Sequence, residues 1–151
     1  MKILLLDPPL IAPKVVWLAS IGQVRIGAHL HSEWCIGVGE RNTVLSKPED
    51  MMPLLPLLEM DRVLFYGHLY KVAQDHAELA GIVQSFPEVL LLRFSFESSV
   101  SDYWPMKAID WIKAAGKVTP DVRESLSTML KKSWVPQRLR QRVEMLVKNS
   151  E

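Results

Sequence analysis

The feature that most constrains this chain is a helical spacing of apolar residues that recurs through its second half. In one stretch, Trp104, Ala108, Trp111, Ile112 and Ala115 fall at relative positions 0, 4, 7, 8 and 11, which places all five on one face of a helix. A helix with one apolar face must bury that face against another element. The second half of the chain is therefore expected to fold as packed helices.

Signals for helix starts and stops divide this half into separate helices. Thr119 followed by Pro120 is typical of a helix start, because the hydroxyl caps the first turn and proline suits the first helical position. Ser46 and Glu49 have the spacing of a capping box, and Gly67 is placed as a helix stop. About six helices are predicted: residues 54–66, 69–84 and 88–96, a helix after the cap at 98–102 that stops at Gly116, a helix after Thr119, and a last helix after Ser133 and Pro136.

Residues 1–45 are less regular. Residues 24–31 alternate in the manner of a half-buried strand, and residues 3–6 form a short apolar run that suits another. A helix over residues 15–30 is the competing interpretation, and the pattern leaves both open. We therefore expect a mainly α fold of about six short antiparallel helices, in a bundle or a HEAT-like stack, with one or two short strands in the N-terminal region.

Length and composition indicate one globular domain. The chain has 151 residues, of which 48% are hydrophobic and 23% are charged, so a sizeable core can form. We predict a single domain over residues 1–151, with an irregular or short-strand part at 1–45 and a helical part at 46–151. Cys35 is the single cysteine, no apolar run is long enough to span a bilayer, and the N-terminus lacks the pattern of a signal peptide. These observations predict a cytoplasmic protein without a membrane partner.

Charge is distributed unevenly along the chain. Residues 1–106 carry 8 Lys/Arg and 12 Asp/Glu, whereas residues 107–151 carry 10 and 5. A basic end suits an acidic partner, either protein or nucleic acid, although a solvated helix face has the same composition. The candidate partner-binding residues are Lys131, Lys132, Arg138 and Arg142, and the two arginines share a helix face at i, i+4 spacing.

The sequence offers little support for catalysis. It contains no nucleophile elbow, no phosphate-binding loop and no dinucleotide-binding fingerprint. His29, His31, Glu33 and Cys35 lie at alternate positions and would share one face of a strand, so the two histidines and the cysteine are weak candidates for metal ligands. No second cluster closes such a site. We therefore predict a protein that is not an enzyme and holds neither a metal nor another cofactor.

Carboxylates and tryptophans surround the start of the helix that carries Trp104. Asp102 is expected to cap that helix, and Asp110 is expected to meet Arg93 or Lys113. The tryptophans at 104, 111 and 134 are expected to pack in the core, with a binding hot spot as the alternative.

A resemblance to a known family covers about residues 90–143. The run of Arg93, Ser99, Ser101, Tyr103, Trp104, Ala108 and Trp111, followed by Gln137, Leu139 and Arg140, resembles small helical bacterial immunity or accessory proteins of toxin systems, including contact-dependent inhibition. The resemblance implies a helical scaffold, a toxin domain as partner, and neutralisation by stoichiometric binding without catalytic residues. Two alternatives remain: association with nucleic acid through the basic C-terminal third, and a metal-dependent enzyme around His29, His31 and Cys35.

Overall fold

A computed structural model describes residues 2–12, 14–29 and 33–150 of the chain. The chain divides into two compact units, Met1–Pro87 and Glu88–Glu151, named the N-terminal unit and the C-terminal unit below. This division does not test the expectation of a single domain over residues 1–151, which stays a prediction.

The N-terminal unit begins with an antiparallel sheet of five strands whose order in space is their order in the chain. The strands are β1 (Ile3–Ile11), β2 (Val15–Ile21), β3 (Val24–His29), β4 (Glu33–Val38) and β5 (Arg41–Val44). They are followed by a 3-10 helix (Pro48–Glu59), α1 (Arg62–Asp75), a short 3-10 turn (Ala77–Leu79) and α2 (Ala80–Val83).

Two of the hairpins in this sheet turn on glycine. Gly22 joins β2 to β3 with a φ of 59°, and Gly39 joins β4 to β5 with a φ of 61°. A positive φ at the first position of a two-residue turn matches the twist of the flanking strands, and glycine adopts it without a steric penalty. The first of these turns sets the register in which Ile21 pairs with Val24.

Two buried hydrogen bonds tie the helices of this unit to its sheet. The indole nitrogen Nε1 of Trp34 donates to the carbonyl oxygen of Ile82 at 2.8 Å, and Nε2 of His68 lies 2.8 Å from the carbonyl oxygen of Leu18. Trp34 also packs edge-to-face on Phe86, with ring centroids 5.0 Å apart. Because a buried polar group without a partner is costly, these bonds fix where α1 and α2 lie on the sheet.

The Trp17 side chain lies across two neighbouring strands because two glycines leave room for it. A Cβ atom at Gly27 would lie 2.7 Å from Cε3 of Trp17, and one at Gly37 would lie 2.6 Å from Cη2. Both distances are shorter than van der Waals contact, so a larger residue cannot stand at either position without moving the ring. The Arg25 guanidinium covers the indole at 4.4 Å from its centroid and donates from Nη2 to the carbonyl oxygen of Gly39.

The C-terminal unit consists of helices α3 (Glu88–Ser98), α4 (Tyr103–Ala115), α5 (Pro120–Leu130) and α6 (Gln137–Asn149). Its boundaries follow the sequence signals closely. The Thr119 hydroxyl accepts a hydrogen bond from the backbone nitrogen of Val122, and Gly116 ends α4 in the left-handed conformation with a φ of 79°. The last helix begins directly after Pro136. The prediction of helices in this part of the chain is confirmed.

The predicted fold class is wrong for the N-terminal third of the chain. A five-stranded sheet stands where one or two short strands were expected, so the protein combines a sheet with helices and is not a helical bundle or stack. The alternation at 24–29 correctly indicated β3. The helix over residues 15–30 is excluded, because Val15–Ile21 is strand β2.

The missed strands lack the alternation that reveals a half-buried strand. In β2 the side chains on both faces are buried, so the strand reads as a continuous apolar run. β5 has the opposite character, because all four of its residues are exposed. β1 was missed only in part: the apolar run at 3–6 correctly indicated its start, but the strand continues to Ile11 through two prolines, which a sheet edge such as β1 tolerates.

The predicted helix boundaries in the N-terminal unit are also wrong. The helix expected over residues 54–66 is interrupted, because the 3-10 helix ends at Glu59 and α1 begins at Arg62. Gly67 does not stop a helix, since α1 continues through it to Asp75. Residues 76–79 then separate α1 from α2, where one helix over 69–84 was expected.

The predicted capping box is displaced by one residue: Asp50, not Glu49, accepts hydrogen bonds from the backbone nitrogens of Ser46 and Lys47. These bonds lower the pKa of the Asp50 carboxyl, with the bond from Ser46 contributing most.

One helical stretch, Ala77–Ser98, is long and apolar enough by composition to cross a membrane. This is weak evidence, because the core helix of a soluble protein passes the same test, and the stretch is interrupted by turn and irregular residues at 84–87. A break in the helix would leave backbone groups without partners in lipid. The structure is thus compatible with a soluble protein.

Candidate protein-binding surface

Two of the candidate partner-binding residues, Arg138 and Arg142, lie one turn apart on α6 and pair with carboxylates of α4. Arg138 Nη2 donates to Asp102 Oδ2 at 2.7 Å, and Arg142 Nη2 donates to Asp110 Oδ1 at 2.9 Å. Arg142 Nη1 also lies 3.6 Å from the sulfur of Met106. The two ion pairs follow one another in the same chain direction, so α4 and α6 run side by side in parallel. The expected partners of Asp110, Arg93 and Lys113, are replaced by Arg142.

The lysines that precede α6 have different surroundings. Lys132 Nζ donates to the carbonyl oxygen of Glu97 at 2.6 Å, at the end of α3. The carboxylate of the same Glu97 accepts from Arg93 Nε at 3.0 Å, and this ion pair raises the pKa of Arg93. Lys131 is exposed at the end of α5. Arg140 Nη1 donates to the carbonyl oxygen of Leu130 at 3.0 Å.

The arginines of α6 therefore form hydrogen bonds with residues of the C-terminal unit itself. Each of these three arginines has a partner there, and two of these partners carry negative charge. A carboxylate paired with an arginine cancels most of the field of that arginine at longer distances. The arginines of α6 therefore attract nucleic acid less strongly than their number in the sequence suggests. The arginines differ in access: the side chain of Arg138 is 72% exposed, whereas that of Arg142 is 27% exposed.

Asp102 binds Arg138 of α6 beside a set of aromatic, apolar and basic side chains around the start of α4, some exposed and some half-buried. We name this group the Tyr103 surface, and its members are Val100, Tyr103, Trp104, Lys107 and Arg138. Val100 is 82% exposed and Tyr103 is 47% exposed, while Trp104 is half-buried.

Aromatic packing and one cation organise the Tyr103 surface. The rings of Tyr103 and Trp104 pack edge-to-face with centroids 4.8 Å apart, and Lys107 Nζ lies 5.8 Å from the Tyr103 centroid. Asp102 is the N-cap residue of α4, as expected, but its carboxylate binds Arg138 and makes no capping hydrogen bond. The carboxylate thus holds the Arg138 side chain beside the start of α4.

The other two tryptophans of the C-terminal unit contribute less to this surface. Trp111 is 2% exposed, so its predicted role in core packing is confirmed, and Trp134 is half-buried in the link before α6.

The candidate metal ligands lie on neighbouring strands. His29 ends β3 and pairs directly with Glu33 at the start of β4, while Cys35 is buried farther along β4. Burial, assisted by the negative charge of Glu33, raises the pKa of the Cys35 thiol, which disfavours the thiolate that metals bind. His31 lies outside the described residues. Within the described ranges, no three His, Cys, Asp or Glu side chains come together in a group able to hold a metal ion.

No known protein family, curated protein or solved structure matches the chain.

Sequence reasoning found Arg138 but missed Val100 and Lys107 as surface residues. Tyr103 was noted only as part of the resembling block, and Trp104 was expected to pack in the core, with a binding hot spot as the alternative. One signal was present: Val100 is a lone apolar residue between serines at 99 and 101, in the link between two helices. Such links run over the surface, so an aliphatic side chain there is expected to be exposed.

Proposed function

We propose that this chain is a non-enzymatic protein-binding module that contacts its partner through the Tyr103 surface. Its proposed role is that of a cytoplasmic immunity protein, which neutralises a bacterial toxin domain by stoichiometric binding. The observation that carries the proposal is the grouping of Tyr103, Trp104 and Arg138 beside an almost fully exposed Val100. Tyrosine, tryptophan and arginine are the residue types enriched at the energetic centres of protein interfaces.

The geometry of Arg138 supports an acidic partner. Its Nη2 atom is engaged by Asp102, which reduces the freedom the side chain would lose on binding. A guanidinium carries five N–H donors in a planar fork, so other donors of this group are suited to a partner carboxylate. Lys107 adds a second cation next to the Tyr103 ring. Because Asp102 neutralises Arg138 at longer range, the net positive charge of the surface comes from Lys107. The surface thus combines an aromatic contact area with one cation and with N–H donors of Arg138, which favours a partner that presents carboxylates around an apolar patch.

The resemblance to immunity proteins supports the class of partner. The residues that carry it include Tyr103, Trp104 and Arg140, and the first two belong to the proposed contact surface. Nucleic acid is the weaker candidate, because the arginines of α6 are bound within the C-terminal unit.

A binding experiment with candidate toxin domains, taken from the genes that neighbour the gene of this chain, tests this proposal. Calorimetry on the purified full chain should give a stoichiometric complex, and coexpression should restore growth of cells that produce the toxin domain. Tyr103→Ala and Arg138→Ala should each weaken binding by about tenfold to a hundredfold, as expected for central interface residues. Tyr70→Ala is the matched control, because Tyr70 is an exposed tyrosine of the N-terminal unit, and it should leave the affinity unchanged.

Two outcomes would contradict the proposal. The first is an unchanged affinity in both the Tyr103→Ala and Arg138→Ala variants. The second is a chain that binds no toxin domain but binds RNA or DNA with a strong dependence on salt, which would favour the nucleic-acid alternative.

A further inference from the structure

An open cavity of about 410 Å³ lies on the sheet of the N-terminal unit, next to Trp17. Its polar lining consists of Lys14 before β2, Arg25 on β3, Glu40 in the turn before β5, and Asn42 on β5. Cavities that bind small molecules have volumes of roughly 300–1,000 Å³ and a few polar groups directed into them. The side chains around this cavity carry two positive charges and one negative charge.

The guanidinium of Arg25 is held in place beside the cavity without an anionic partner among the residues that the structure describes. Its Nη2 atom donates to the carbonyl oxygen of Gly39 at 2.7 Å, and its charge lies 4.4 Å from the centroid of the Trp17 ring. Arg25 is half-buried, so the cation loses part of its hydration with no carboxylate in compensation. A guanidinium has five N–H donors, and an anion in the cavity can accept hydrogen bonds from those that Gly39 does not use.

The Asn42 amide lies close to the same guanidinium. Arg25 Nη2 and Asn42 Oδ1 are each 3.1 Å from the point that a Cβ atom of Gly37 would occupy, so both polar groups lie over this glycine. In the part of the chain that the structure describes, the Asn42 side chain forms no hydrogen bond, and neither Lys14 nor Glu40 forms an ion pair. The polar groups around the cavity are therefore available to a ligand.

We propose that this cavity binds a small hydroxylated anion, of the class of sugar phosphates and sugar acids. Lys14 and Arg25 bind the phosphate or carboxylate group of the ligand, because cations hold such oxyanions by charge-assisted hydrogen bonds. The Glu40 carboxylate accepts hydrogen bonds from hydroxyl groups, and the Asn42 amide both donates to and accepts from them.

Glu40 selects against an anion that has no hydroxyl groups. A bare oxyanion leaves the Glu40 carboxylate without a donor and repels it, whereas hydroxyl groups between the two negative charges donate to Glu40. All the residues of this site belong to the N-terminal unit, so the site does not depend on the Tyr103 surface.

NMR titration of the full chain with glucose 6-phosphate at constant ionic strength tests the site. The indole N–H resonance of Trp17 and the backbone N–H resonance of Gly39 should shift with a dissociation constant of roughly 0.1–1 mM, as expected for a ligand of this size. Inorganic phosphate and glucose should each bind at least about tenfold more weakly, because each makes only part of the proposed contacts. Glucuronate is the carboxylate counterpart, and its binding in place of glucose 6-phosphate would support the proposal with a carboxylate as the anionic group.

Three variants locate the binding site. Lys14→Gln and Asn42→Ala should each raise the dissociation constant of glucose 6-phosphate by at least about fivefold. Arg41→Gln is the matched control, because Arg41 is an exposed cation of β5 that does not line the cavity, and it should change the constant by less than about twofold. All three residues are exposed, so the variants should fold, which circular dichroism verifies.

Three results would overturn the proposal. The first is the absence of a shift at either resonance up to about 10 mM glucose 6-phosphate or glucuronate. The second is inorganic phosphate that binds as tightly as both of these ligands. The third is an equal effect of Lys14→Gln and Arg41→Gln, which would mean that the anion is attracted by the general charge of the hairpins and not by the cavity.

Discussion

At the scale of single residues, the clearest constraint is the space that Gly27 and Gly37 leave for Trp17. The Trp17 ring lies across strands β3 and β4, so close to both glycines that neither position has room for a Cβ atom. The Arg25 guanidinium lies over the ring. In the sequence, each glycine also suits a turn, and nothing nearby indicates a ring above it. Their role depends on Trp17, ten residues before one glycine and twenty before the other, and a pattern of adjacent residues carries no information about such a contact.

We expect Gly37→Ala to lower the free energy of unfolding by about 1–3 kcal/mol, because the new methyl group overpacks the site beneath Trp17. Urea denaturation of the full chain measures this change. Gly81→Ala is the control, since its methyl group meets nothing, and it should raise stability slightly. A Gly37→Ala variant as stable as the wild type would show that the Trp17 ring is not held against β4.

At the scale of elements, the start of the 3-10 helix depends on one carboxylate. Asp50 accepts hydrogen bonds from the backbone nitrogens of Ser46 and Lys47 and from the Ser46 hydroxyl. These bonds lower its pKa in the folded chain relative to the unfolded chain. The unfolded state then binds protons more readily, so the contribution to stability is present at neutral pH and is lost as the pH falls through the folded pKa.

Asp50→Ala should therefore destabilise the chain by about 1 kcal/mol at neutral pH, as the loss of a helix cap does. The difference from the wild type should shrink as the pH falls below the ordinary pKa of an aspartate, about 4, and then through the lower pKa that Asp50 has in the folded chain. Urea denaturation at several pH values measures both effects. The exposed Glu49, which the sequence predicted as the acidic residue of a capping box with Ser46, is the matched control, and an equal effect of Glu49→Ala would contradict the assignment.

Some of the helices and strands could be predicted from the sequence, and others could not. The elements it found have local signals, such as the threonine cap before α5 and Gly116 after α4. The strands it missed are defined by their neighbours: β2 is apolar on both faces because both are covered, and β5 pairs through its backbone while its side chains face solvent. The partners of Arg138 and Arg142 were missed for a similar reason, since they depend on how α4 and α6 pack.

At the scale of the whole molecule, the expectation of a single domain can be tested by calorimetry. A single cooperative domain of 151 residues should unfold in one transition with an enthalpy of about 100 kcal/mol, equal to the van't Hoff value. Two separate transitions would contradict the prediction and would mean that Met1–Pro87 and Glu88–Glu151 unfold as independent domains.

The packing of Trp17 over two glycines also produces a sequence pattern that can be searched for in other chains. Trp17, Gly27 and Gly37 stand ten residues apart in sequence, because each hairpin brings the next strand back beneath the same ring. In a related chain with a small residue in place of the tryptophan, larger residues can replace both glycines. A related chain that keeps the tryptophan must also keep both glycines. Paired changes at this ten-residue spacing would therefore identify distant relatives of the sheet whose remaining sequence has diverged.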